Sequence, residues 1–160
     1  YALWPVFAPV WLMFLGSFVS CAGSTGGGIK MVRMVLLIKQ ARCELVRALH
    51  PRVVNPIIMG RAPIAAKVIA SVMAYMLIYG ATTIGLTMLM LISGLDIVTA
   101  FSAVVATVNN IGPGLGQVGP ASNFGVLNDF QTWICTLAML MGRLELLAVM
   151  VLFTPHFWRK

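Results

Sequence analysis

Two stretches of this sequence interrupt apolar runs with glycine: "SCAGSTGGGIK" (Ser20–Lys30) and "NNIGPGLGQVGP" (Asn109–Pro120). A third, "GRLE", sets Arg143 and Glu145 inside the apolar run "LAMLMGRLELLAVM". The glycine stretches are poor in ionisable side chains, so the chemistry they can do is that of the backbone. An extended segment presents carbonyl oxygens in a row. Where no side chain blocks the approach, several of them together can replace the hydration shell of an alkali cation. No carboxylate is required.

Covalent chemistry finds little support. Intramembrane hydrolysis or transfer needs a nucleophile with a base, a metal cluster or a pair of carboxylates, and the four acids Glu44, Asp96, Asp129 and Glu145 are scattered. His50 and His156 lie beside prolines with no second ligand at metal spacing, and Cys21, Cys43 and Cys135 read as packing residues. The expectation is a protein that is not an enzyme and holds no cofactor.

The elements around these stretches are those of a membrane protein. Hydrophobic residues make up 60% of the 160 and charged residues 9%, and the mean hydropathy is +0.96. Such a chain cannot cover a core with polar surface in water. A span needs roughly 20 apolar residues, and three stretches qualify: about Leu3 to Val19, Ile64 to Ile92 and Trp133 to Phe153. The chain opens without a methionine and without the charged start and cleavage site of a signal peptide, and it reads as a piece of a longer polypeptide.

Charge orients the piece. Eight of the eleven Lys and Arg residues lie between Lys30 and Lys67, which marks that side as cytoplasmic. The stretch from Asp96 to Asp129 contains no Lys or Arg and is expected outside, and Arg159 and Lys160 finish inside. The basic stretch has two readings, a topology signal and a site for anionic lipid or a partner. No nucleic-acid partner is expected.

A fourth apolar run, "IVTAFSAVVATV", is too short to cross, and the sidedness of the charges requires it to enter and leave on the outer face. It is therefore expected to be a short helix followed by a re-entrant loop. Non-helical backbone at membrane depth is tolerated only against protein or a water-filled cavity. The partly negative C-terminal end of such a helix favours a cation. The competing reading of "NNIGPGLGQVGP" is an ordinary external loop.

The segments "STGGGIK", "HPRVVNP", "NNIGPGLG", "GRLE" and "LFTPHFWRK" resemble the TrkH-like subunits of the Trk/Ktr/HKT potassium-uptake superfamily, and the resemblance covers the whole chain. It implies an all-α integral membrane fold in which helix, re-entrant pore loop and helix repeat four times around a pseudo-fourfold K⁺ channel-like pore, with one broken inner helix. On that mapping residues 1–38 are the inner helix of the third repeat, residues 39–61 a cytoplasmic basic connection and residues 62–94 the outer helix of the fourth repeat. Residues 95–120 are then the pore helix and filter, 121–130 an external loop, 131–154 the last inner helix and 155–160 a cytoplasmic end.

The resemblance further implies a filter at Asn110, Ile111, Gly112 and Pro113, with K⁺ held by the carbonyls of Asn110, Ile111 and Gly112. It implies an intramembrane gate loop of Cys21, Ala22, Gly23, Ser24, Thr25, Gly26, Gly27 and Gly28, and a pore charge at Arg143. Two alternatives remain open beside it. Gly26–Gly28 can let two membrane helices approach closely, and Arg143 can tie helices together through a buried ion pair. Lys30 and Arg33 share one helical face and either face the pore or snorkel to the inner interface.

The implied partners are the remaining repeats, a second copy in a homodimer, a TrkA-like cytosolic nucleotide-binding subunit and the lipid bilayer. The implied location is the plasma membrane, as a multi-pass protein of a bacterial inner membrane. The implied function is gated K⁺ uptake. Its rival is a coupled cation symporter with an ion site at the broken helix.

Overall fold

The short apolar run folds as a helix because its first turn is capped and its flanks are small. In the computed structural model, which describes residues 4–5, 7–18, 27–53, 56–59, 62–144, 151 and 158, the helices are α1 (Phe7–Phe18), α2 (Met31–Leu49), α3 (Ala66–Ile92), α4 (Ile97–Val108) and α5 (Asp129–Arg143). Strands β1 (Ile58–Met59) and β2 (Ala62–Pro63) form a small antiparallel hairpin between α2 and α3, with Met59 opposite Ala62. The fold is mostly helical, as expected, and this hairpin is its one departure from an all-α chain among the described residues.

Only α3, at 27 residues, is long and apolar enough to cross a bilayer by itself among the described residues. At 1.5 Å per residue it extends about 40 Å, against roughly 30 Å of hydrocarbon. Its residues Leu77, Ile84 and Ile92 are exposed, the pattern of a helix whose outer face meets an apolar medium. The first apolar run yields a 12-residue helix, α1. Of the expected gate loop, Cys21, Ala22, Gly23, Ser24, Thr25 and Gly26 lie outside the described residues, as do Glu145 and His156.

Helix α4 forms the centre. Nine of its twelve residues are buried, and it packs between α3 and α5 in a cluster that joins Leu86 and Met90 to Val104, Val108, Ile134 and Ala138. Ala100, Ala103 and Ala138 are fully buried, and their small side chains let the three helices approach, which is how helices associate where lipid offers no hydrophobic driving force. A second cluster of Leu36, Cys43, Ile57 and Val72 joins α2, the residue before β1 and the first turns of α3. Lys39 Nζ donates to the Ile58 carbonyl at 2.6 Å and fastens the hairpin to α2.

Helix α5 begins at Asp129, earlier than the apolar run at Trp133 suggests. Asn128 and Gln131 make a reciprocal capping box, and Gln131 Nε2 also donates to Ser93 Oγ at 2.9 Å, tying the start of α5 to the end of α3. Asp96 caps α4 by accepting from the Thr99 amide at 3.0 Å. Hydrogen bonds from the Thr99 side chain and amide hold the Asp96 carboxyl below its ordinary pKa.

A carboxyl with a lowered folded-state pKa stabilises the fold fully above its unfolded pKa, and the contribution is lost as pH falls through the folded value. Asp96→Ala in the full-length parent is therefore expected to lower the thermal unfolding temperature at neutral pH. Asp96→Asn, which retains a capping oxygen, is expected to retain most of it, and circular dichroism melts in detergent distinguish the two.

Candidate functional site

The chain turns round at the end of α4. Asn109 closes the helix and Asn110 takes a left-handed conformation at φ 54°, which asparagine tolerates better than most residues. The Ile111 amide donates to the Ala106 carbonyl at 2.9 Å and the Asn110 amide to the Thr107 carbonyl at 3.1 Å. These two bonds are a Schellman closure, and they satisfy helix-end carbonyls that no water is needed to reach.

Residues 111–117 then run back along α4. Leu115 donates its amide to Ser102 Oγ at 2.8 Å, and the same hydroxyl donates to the Leu115 carbonyl at 3.2 Å. Two residues further on, the Gln117 amide donates to Thr99 Oγ1 at 3.2 Å. Ser102 and Thr99 are buried one turn apart on α4, so their hydroxyls take the place of a neighbouring strand. The segment thus returns to the level at which α4 began.

Of the expected filter residues, Asn110, Gly112 and Pro113 are exposed and Ile111 is half-buried. Gly112 has φ +109°, and a Cβ built there meets nothing within 4 Å. The position is open in space but closed to L side chains by its backbone. Among the described residues, the carbonyls of Asn110, Ile111, Gly112 and Pro113 accept no hydrogen bond.

Residues 27–29, just before α2, meet this turn from the other side. The Ile29 amide donates to the Ser17 carbonyl at 3.1 Å, so the close of α1 is bonded to the residues just before α2. A Cβ on Gly27 would lie 2.8 Å from the Asn109 carbonyl oxygen, and one on Gly28 would lie 2.5 Å from Asn109 Oδ1. Gly28 itself has φ +85°. The two described glycines of the expected gate loop are therefore pressed against the turn that ends α4.

Two tyrosines of α3 complete the arrangement. Tyr79 donates its hydroxyl to Asn109 Oδ1 at 3.0 Å, and Tyr75 donates to the Gly28 carbonyl at 3.3 Å. The rings stack with centroids 6.4 Å apart, and the Arg33 guanidinium lies 4.0 Å from the Tyr75 ring centroid. Of the two readings of Arg33, this contact turns it inward onto α3 and uses the cation's attraction to the ring face.

Arg143 ends α5 and is exposed in this chain. Its neighbour Gly142 abuts the Val108 carbonyl so closely that no Cβ fits between them, and the Asn110 side-chain nitrogen lies 3.1 Å from where that Cβ would be. Asn110 Nδ2 also approaches the Met139 carbonyl at 3.5 Å. Arg143 therefore stands one residue from the contact between α5 and the end of α4. Gly142, Ser17, Tyr75 and Tyr79 were not singled out by sequence reasoning. The available signal was two tyrosines four apart in an apolar span, whose buried hydroxyls require partners, and a glycine inside a helical run.

These features define a helical membrane protein whose distinctive part is a backbone reversal held between helices. The model of the TrkH family, described as cation transport protein, matches residues 1–160. The chain belongs to the TrkH family. The Trk system potassium uptake protein TrkH of Vibrio parahaemolyticus is 43% identical over 159 residues, which cover 99% of this chain and 32% of that protein. The protein of the same name from Halomonas elongata is 40% identical over 165 residues, covering 100% of this chain and 33% of the relative.

Among solved structures, the crystal structure of the potassium transporter TrkH from Vibrio parahaemolyticus superposes with a TM-score of 0.90 at 43% identity, covering 98% of this chain and 33% of that one. The chain spans about a third of the length of the relatives it matches. Those relatives are transport proteins.

Gly142→Ala in the full-length parent is expected to cost about 1–3 kcal/mol, the usual penalty for overpacking a tight contact. Gly80→Ala, at a helical position where a Cβ meets nothing within 4 Å, is expected to be neutral or to stabilise by up to about 1 kcal/mol. Thermal unfolding of the two variants side by side checks the contrast.

Proposed function

We propose that this chain forms one quarter of the K⁺ pathway of a Trk-type uptake protein, together with the inner helix of the preceding repeat. The observation that carries this reading is the row of carbonyls from Asn110 to Pro113, which accept no hydrogen bond among the described residues. Oxygens left without donors beside the C-terminal end of a buried helix are suited to a weakly hydrated cation, because they replace its water without the strong binding a carboxylate would impose. The names of the relatives, potassium uptake proteins, support K⁺ as the substrate.

In this mechanism K⁺ leaves water at a filter to which Asn110, Ile111, Gly112 and Pro113 contribute, while three further repeats supply the remaining oxygens. The return of residues 111–117 to the starting level of α4 supports a re-entrant pore loop. Below the filter the ion passes a gate formed by Cys21 to Gly28. The contact of Gly27 and Gly28 with Asn109 supports that placement. Arg143, one residue from the contact of Gly142 with the end of α4, adds positive charge beneath the filter and opposes idle cation flow.

The whole protein is then a multi-pass protein of a bacterial inner membrane. It works as a homodimer with a TrkA-like cytosolic nucleotide-binding subunit, for which the basic segment Lys39–Arg61 is the candidate contact.

Flux into liposomes containing the full-length parent tests this function. Rapid K⁺ entry driven by its own gradient is the expected result. Entry that requires the gradient of a second ion would replace the channel with a coupled symporter. Gly112→Ser is expected to reduce K⁺ over Na⁺ discrimination, because the φ of +109° forces the new residue to move the carbonyls on either side of it. An unchanged permeability ratio would remove Gly112 from the filter.

A further inference from the structure

Asn109 is 4% exposed, and its side-chain amide joins three elements. Nδ2 donates to the Val105 carbonyl at 2.8 Å and approaches Ser17 Oγ at 3.3 Å, while Oδ1 accepts from the Tyr79 hydroxyl at 3.0 Å. The Val105 carbonyl can only accept, so it fixes which end of the amide is nitrogen. Oδ1 must therefore face Tyr79, and the tyrosine must be the donor. Ser17 Oγ in turn donates to the Met13 carbonyl at 3.1 Å, which leaves a lone pair toward Asn109. Every proton in the chain Tyr79–Asn109–Ser17–Met13 thus has one direction.

The position of this amide gives the chain its consequence. Asn109 immediately precedes the left-handed Asn110 and the carbonyls of residues 110–113, which accept no hydrogen bond among the described residues. Ser17 carries the carbonyl that closes the interrupted helix onto Ile29. Tyr79 lies in the middle of the long helix α3, which anchors both to the most extended element of the described structure. A change of rotamer at Asn109 would move the start of the carbonyl row and the closure at Ser17 in one step.

We propose that Tyr79 is a positioning residue of the ion pathway: through Asn109, its hydroxyl holds the carbonyl row at 110–113 and the Ser17–Ile29 closure in one fixed relation. Ion discrimination is then set by this buried hydrogen-bonded chain. This rests on the pore reading and adds to it a residue that touches no ion.

The test uses the full-length parent in liposomes with K⁺ and Na⁺ as probes. Tyr79→Phe removes one hydroxyl and keeps the ring. It is expected to lower the K⁺ over Na⁺ permeability ratio by about fivefold, the factor that one net hydrogen bond is worth. Ser17→Ala approaches the same amide from the other side and keeps the proposal falsifiable if Tyr79→Phe does not insert. Its ratio is expected to fall in the same direction, and the double variant is expected to fall by less than the product of the two, because both act through one amide.

A wild-type ratio in both single variants overturns the proposal, and so does a loss of flux that only follows the amount of folded protein. A parent that passes no K⁺ down its own gradient would overturn the pore reading instead.

Discussion

A backbone that turns round inside an apolar medium must find a partner for its amides without water. At the end of α4 this requirement is met by the helix itself. Thr99 and Ser102, buried one turn apart, receive the amides of Gln117 and Leu115, and the helix end closes on its own carbonyls through Asn110 and Ile111. The carbonyls of Asn110 to Pro113 accept no hydrogen bond among the described residues. The amides of Asn110, Ile111, Leu115 and Gln117 are taken up by α4. Replacing either hydroxyl by a methyl group would take the acceptor from one of these amides, a loss of about 0.5–1.5 kcal/mol.

The same economy holds where the residues just before α2 meet this turn. Glycines at 27 and 28 let the chain lie against Asn109, and the polar atoms brought in by that approach are taken up by Tyr75 and Tyr79. Arg33 rests on the face of Tyr75, so a positive charge is carried against the same helix. Packing and polar satisfaction are coupled here: the small residues permit contact, and contact creates the polar groups that the tyrosines then satisfy.

The helical class was legible in the sequence because it depends on composition. The brevity of "IVTAFSAVVATV" argued for a short helix, and α4 is twelve residues long, with a sequel that runs back along it as far as Thr99. The hairpin at 58–63 was not legible, since two residues per strand carry no periodic signal. The start of α5 at Asp129 was missed because the apolar run begins later, and the capping pair Asn128 and Gln131 decides the boundary. Tyr75, Tyr79 and Ser17 were missed for another reason. Their partners lie 47, 30 and 92 residues away, and no local pattern encodes a bond of that range.

The hydrogen bond from Ile29 to the Ser17 carbonyl also has a bearing on how such a chain can change over generations. The bond uses only backbone atoms, so either residue can be exchanged for another without removing the amide or the carbonyl that make it. The two glycines beside it have no such freedom, because a Cβ at Gly27 or Gly28 would meet Asn109 and the Gly28 carbonyl is the acceptor for Tyr75. Selection at this point therefore acts on side-chain volume at 27 and 28 and on backbone shape at 17 and 29.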